Sequence, residues 1–155
     1  MATDKRKNGS VLLVRERGGR VLCERCLVAA GPLPRMRGLL GRRSLGVGEG
    51  LLLRPAAAIH TAFMRFAIDA VFLDREGVVV HVAHDLQPWR TAAKRGARAV
   101  LELPAGSARG FGLKAGEKLA LVSPGEAAGT GNRIGLPPRN ESEAELAGFA
   151  GRQGR

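Results

Sequence analysis

The sequence predicts a mainly β, single-domain fold: a compact sandwich or barrel of about seven or eight short strands with one or two short helices. Three observations carry that expectation. Short Val- and Leu-rich runs recur between Gly- and Pro-bearing breaks. Gly18-Gly19 separates two such runs as a hairpin turn would. Val78, Val80 and Val82 alternate along one face, the period of a strand with one buried side.

Taken in order, residues 10–16 and 20–29 form the hairpin around Arg17-Gly18-Gly19. Pro32-Leu33-Pro34 then opens a short helix in which Met36, Leu39 and Leu40 recur at helical spacing, and Gly41 stops it. Beyond the Gly-rich loop 46–50, strands are expected at 51–54, 59–64 and 68–74. Arg75-Glu76-Gly77 turns the chain into a strand at 78–84. A loop through Pro88 and Trp89 leads to a strand at 98–103, residues 105–111 allow one helical turn, and 117–122 supply the last strand. Residues 1–9 read as a disordered basic tail, 10–124 as the folded domain, and 125–155 as a flexible Gly- and Pro-rich tail.

Composition bounds the function classes. With 45% hydrophobic residues but one Trp and no Tyr, the core must be built from Leu, Val, Ala and a few Phe. The net charge of +11 comes mostly from Arg, so the surface will attract polyanions at low salt. The basic residues are spread out, which favours nonspecific attraction over a dedicated nucleic-acid site. No apolar run approaches a membrane span, and residues 11–14 are too short for a signal-peptide core. A soluble, cytoplasmic protein with two free cysteines is expected, monomeric or a weak dimer through open strand edges.

Catalytic and metal motifs are incomplete. Cys23-Glu24-Arg25-Cys26 has no second ligand pair for zinc. Within a strand its two thiols should point to opposite faces, which also disfavours a redox role. His81 and His84 share that odd spacing. Residues 105–110 only imitate a nucleophile elbow, and 46–50 lack the Gly-Lys-Ser/Thr that cradles phosphates. No metal or cofactor is expected, and the reading leans away from an enzyme.

Six ordered blocks stand out, beginning with Arg37-Gly38-Leu39-Leu40-Gly41-Arg42, Glu49-Gly50-Leu51-Leu52-Leu53, and His60-Thr61-Ala62-Phe63-Met64-Arg65-Phe66-Ala67-Ile68-Asp69. They continue with Val71-Phe72-Leu73-Asp74 plus Gly77, Leu101-Glu102-Leu103-Pro104-Ala105-Gly106, and Gly112-Leu113-Lys114-Ala115-Gly116-Glu117. In these blocks the chain resembles the bacterial and archaeal "domain of unknown function 192" family. The resemblance implies a mainly β single domain and no established activity. Many members carry Trp before the Met, where this chain has Phe63.

The polar residues of these blocks form the candidate binding set: Arg37, Arg42, Glu49, His60, Met64, Asp69 and Glu102. On strand alternation His60 and Met64 share a face, and Asp69 shares one with Val71 and Leu73. A carboxylate there needs an arginine or backbone donors. Asp69 and Glu102 could therefore be internal anchors that pin the short helix to the sheet. Alternatively, the Arg37 helix and the His60–Met64 strand enclose a pocket for a small anionic ligand. The reading that follows is a non-catalytic module recognising a small, anionic ligand or a protein partner. An enzyme using His60 with Asp69 or Glu102, and a basic nucleic-acid-binding accessory protein, are the alternatives.

Overall fold

A computed structural model of the chain describes residues 10–15, 19–30, 39 and 41–122. The strands are β1 (Ser10–Arg15), β2 (Val21–Ala30), β3 (Glu49–Arg54), β4 (Ala58–His60), β5 (Ile68–Leu73), β6 (Val79–Leu86), β7 (Thr91–Ala93), β8 (Ala99–Pro104) and β9 (Leu119–Val122). One helical turn, α1 (Ser107–Gly110), follows β8. Seven strands make one sheet in the order β6-β5-β8-β3-β2-β1-β9, and β4 pairs with β7 in a separate two-stranded sheet. The fold is mainly β, as the short apolar runs predict.

β1 and β2 form the expected antiparallel hairpin, from Ser10↔Leu27 to Val14↔Val21. β2 and β3 run parallel, from Arg25↔Glu49 to Ala30↔Arg54. Parallel neighbours need a crossover, which is why a long connection separates them. β5 lies between β6 and β8, and all six of its residues are buried. Its alternate side chains feed two cores, one on each face of the sheet. Val71 and Leu73 pack with Leu52, Leu101, Leu103, Cys23, Cys26 and Ala108 of α1. Ile68, Ala70 and Phe72 pack with Leu51, Leu53, Val100, Leu39, Leu45, Ile59 and Met64 on the other side.

The sheet is not closed into a barrel, although its two edges meet at one end. Val78 bridges Lys118 there. Val79 N–H donates to the Glu117 carbonyl at 2.8 Å and Leu119 N–H to that of Gly77 at 2.9 Å. Between β5 and β6, Asp74 Oδ1 accepts the N–H groups of Glu76 (2.8 Å) and Val78 (2.9 Å), closing the expected turn.

Three expectations need correction. The strand foreseen at 59–64 ends at His60, because Thr61 turns the chain, so His60 and Met64 do not share a strand face. His60 is exposed whereas Met64 is buried. The cysteines do not face apart: Glu24 N–H and Arg25 N–H both donate to the Gly48 carbonyl, at 2.9 and 3.0 Å. That bulge absorbs a residue and turns both thiols into one core. Cys23 and burial together hold the Cys26 thiol well above its ordinary pKa, so it stays protonated. Third, β7 falls where only a loop was expected. The helix expected after Pro32 lies outside the described residues, save Leu39 and Gly41, as do both tails.

Gly77 and Gly96 separate two reasons for a glycine. Both have positive φ, +81° and +88°, but a Cβ on Gly77 would stand 2.6 Å from the Leu119 carbonyl oxygen whereas Gly96 faces open space. Gly96→Ala should therefore cost about 1 kcal/mol, the left-handed penalty alone. Gly77→Ala should cost about 3 kcal/mol or more, since backbone must also move. Denaturant midpoints of the two variants check this.

Candidate recognition site

The residues singled out in the sequence fall into separate places. Arg42 lies on the surface with Glu49: its Nη1 donates to Glu49 Oε2 at 3.4 Å, and Arg25 Nη2 stands 3.2 Å from Oε1. Gly46 N–H donates to the same carboxylate at 3.0 Å, and this bond, with the two guanidinium groups, holds Glu49 below the usual carboxylate range. Glu49 thus closes the loop before β3. Arg37 lies outside the described residues. Met64 packs among Ile59, Leu39 and Phe72 as a core residue.

Asp69 and Glu102 are both buried, on opposite faces of the sheet. Asp69 pairs in register with Leu103, and Glu102 with Ala70, so the two side chains leave the sheet in opposite directions. Asp69 Oδ1 accepts Asp85 N–H at 2.8 Å, where β6 bulges, and Oδ2 accepts Ala108 N–H of α1 at 2.8 Å. No arginine is needed: two backbone donors answer the charge. Glu102 Oε2 has no such donor among the described residues. It is buried with no hydrogen bond, and desolvation raises the Glu102 pKa to about 7. Exposed His60 makes no hydrogen bond to either carboxylate among the described residues, so the His/carboxylate pair is not assembled.

What the structure does assemble was not singled out. Thr61 follows β4 and is fully buried. Its Oγ1 donates to the Gln87 carbonyl at 2.7 Å and accepts Arg90 N–H at 2.9 Å. Its own N–H donates to the Arg90 carbonyl at 2.8 Å, and its carbonyl accepts Trp89 N–H at 3.0 Å. This threonine locks the 61–66 loop to the 85–90 loop. At their tips stand Phe63 and Trp89, with ring centroids 4.6 Å apart and planes at 61°. Phe63 is 70% exposed and Trp89 60%. Both adopt left-handed backbone, with φ of +64° and +62°.

Bulky residues avoid that region at a cost of about 1–2 kcal/mol each. Two such residues, touching and exposed, are a costly arrangement that the core does not require. In sequence, Arg65 lies two residues beyond Phe63 and Arg90 directly follows Trp89, while Asp85 stands four residues before Trp89. Phe63 could have been suspected as the aromatic in the His60–Asp69 block, and Trp89 as the sole tryptophan; their φ values could not.

The family model DUF192, described as an uncharacterized ACR, matches residues 13–121. The chain belongs to the DUF192 family. A UPF0127 protein of Pyrococcus abyssi is 38% identical over 68 residues, which span 43% of this chain and 57% of that protein. A UPF0127 protein of Thermococcus sibiricus is 29% identical over 143 residues, covering 83% of this chain and 90% of the other. Two solved structures share the DUF192 fold seen here. One, of unknown function, from Novosphingobium aromaticivorans, has a TM-score of 0.63 at 25% identity, covering 71% of this chain and 83% of that one. The other, from Sinorhizobium meliloti and described as a candidate transcription regulator, has a TM-score of 0.66 at 20% identity, covering 74% and 95%. That likeness extends to the fold alone. Among the described residues, no helix of this DUF192 chain is long and apolar enough to cross a membrane.

Two predictions follow from the carboxylates. Asp69→Ala strands the buried N–H of Ala108 and the partly buried one of Asp85, and should cost about 3 kcal/mol in a denaturant melt, against about 1 kcal/mol for Asp74→Ala in its partly solvated turn. Glu102 titrates near 4.5 unfolded and about 7 folded, so between those values the native state binds the extra proton. Its contribution is therefore an ionisation penalty that grows as pH rises through that window, to about 3 kcal/mol above it. Glu102→Gln should flatten the stability profile between pH 4.5 and 7.

Proposed function

We propose that this protein is a non-catalytic recognition module that binds an acidic, partly apolar peptide segment of a protein partner through Phe63 and Trp89. The single supporting observation is the exposed aromatic pair, held by buried Thr61 on two left-handed residues. Exposed aromatics presented rigidly lose little side-chain entropy on binding, and such residues dominate interface energetics. Arg65 and Arg90, next to the pair in sequence, favour an acidic partner. The ring geometry favours an apolar side chain over a nucleobase. In an edge-to-face pair one ring's edge covers the other's face, leaving a wedge rather than two free platforms for successive bases.

Trp89 is the only tryptophan, so intrinsic fluorescence reports on the site directly. Titration with a dodecapeptide of Glu and Leu at physiological salt should shift the Trp89 emission, and an all-Glu peptide should bind at least ten-fold more weakly. In a competition assay with labelled peptide, Phe63→Ala and Trp89→Ala should each weaken binding ten-fold or more while leaving the melt nearly unchanged. A response to oligothymidylate but not to the peptide would replace this reading with the nucleic-acid one. Silence with both would end it.

A further inference from the structure

A second feature stands apart from the aromatic pair. A cleft of about 310 Å³ opens where the β5–β6 turn, the ends of β3 and β8, and β9 come together. Its floor is apolar, made by Leu52, Leu73 and Leu119. Three arginines from three different elements line it: Arg54 at the end of β3, Arg75 in the turn after β5, and Arg98 just before β8.

The walls are fixed by backbone. Arg98 N–H donates to the Leu73 carbonyl at 2.7 Å, and the Arg98 carbonyl accepts Ala56 N–H at 2.9 Å. On the facing side the turn at Gly77 presses against Leu119, through the 2.9 Å bond from Leu119 N–H to the Gly77 carbonyl. Two carboxylates, Asp74 and Glu76, also line the cleft. Among the described residues neither forms an ion pair with the three guanidinium groups. Asp74 instead spends Oδ1 on two backbone N–H groups. Three guanidinium groups beside two acids leave the lining net positive, with the arginine donors uncommitted.

We propose that this cleft binds a small organic anion whose apolar body rests on Leu52, Leu73 and Leu119 while its phosphate or carboxylate meets Arg54 and Arg98. Guanidinium groups suit this, because their planar fork of donors matches a phosphate or carboxylate and they are weakly hydrated. The volume lies at the lower end of that of small-molecule pockets, and the lining is mixed, with leucines beside the charged groups of Arg54, Asp74, Arg75, Glu76 and Arg98. Bare phosphate would gain only the charge contacts and a neutral aromatic only the floor. Occupancy therefore demands both parts in one molecule.

Phenyl phosphate, inorganic phosphate and benzyl alcohol are the probes, titrated into the ¹⁵N-labelled full chain with amide shifts as the readout. Phenyl phosphate should move the amides of Leu73, Arg98 and Leu119 in a saturable way, at least ten-fold more tightly than inorganic phosphate or benzyl alcohol. The double substitution Arg54→Gln/Arg98→Gln should weaken it ten-fold or more, with the rest of the spectrum in place. Phe63→Ala should leave it unchanged, which separates this site from the aromatic pair. If a double variant proves unstable, Arg54→Lys and Arg98→Lys singly should each weaken phenyl phosphate while preserving the fold. Equal binding of benzyl alcohol, or binding indifferent to the arginine substitutions, would overturn the proposal, as would the absence of saturable shifts at those amides.

Discussion

Asp69 is the second residue of a buried strand, fully shielded from water, and each of its oxygens receives a backbone N–H from a different element. One donor comes from Asp85, where β6 departs from regular pairing; the other from Ala108, at the start of the helical turn. Both donors sit where ladder bonding is interrupted, so without the carboxylate neither has a ladder partner, and that of Ala108 would be buried and unanswered. The irregular parts of the domain can therefore pack against β5 only because this side chain is present. Asp74 repeats the device at the other end of the strand, where one oxygen closes the turn that brings the two sheet edges together.

Thr61 carries the same logic to the surface. Beyond the last rung of the β4–β7 pair, its hydroxyl donates to one loop carbonyl and accepts from one loop amide while its backbone bonds the same loop, so two loops are joined at one residue. The aromatic pair then stands on a rigid base while still facing solvent. Of the candidate set, Met64 fills core and Glu49 closes a loop. Glu102 is the exception, since its burial without a partner is offset by nothing among the described residues.

The sequence made the strands legible because their apolar runs are short and bounded by turn residues. It made Asp69 legible because a carboxylate inside such a run demands partners. It could not show that Asp69 and Glu102 face apart. Alternation gives directions within one strand, whereas the relation between strands depends on a register fixed by pairing, here Ala70↔Glu102. The cysteines failed for a related reason, since one bulge shifts the parity of everything beyond it. Phe63 and Trp89 failed for another: residue type gives no warning of a left-handed backbone when the residue is not glycine. The bonds that impose it belong to a threonine and to carbonyls nearly thirty residues away.

The order of strands also bears on how the chain can fold as it is made. β9, the last strand described, completes the sheet beside β1, the first. The segment just before β9 also ties the turn between β5 and β6. A nascent chain that has emerged only through β8 thus lacks both its edge cover and the bridge that holds the two edges together. Such closure by sequence-distant partners makes the loop-entropy cost large and late. Until β9 leaves the ribosome, β1 stands as an uncovered strand edge.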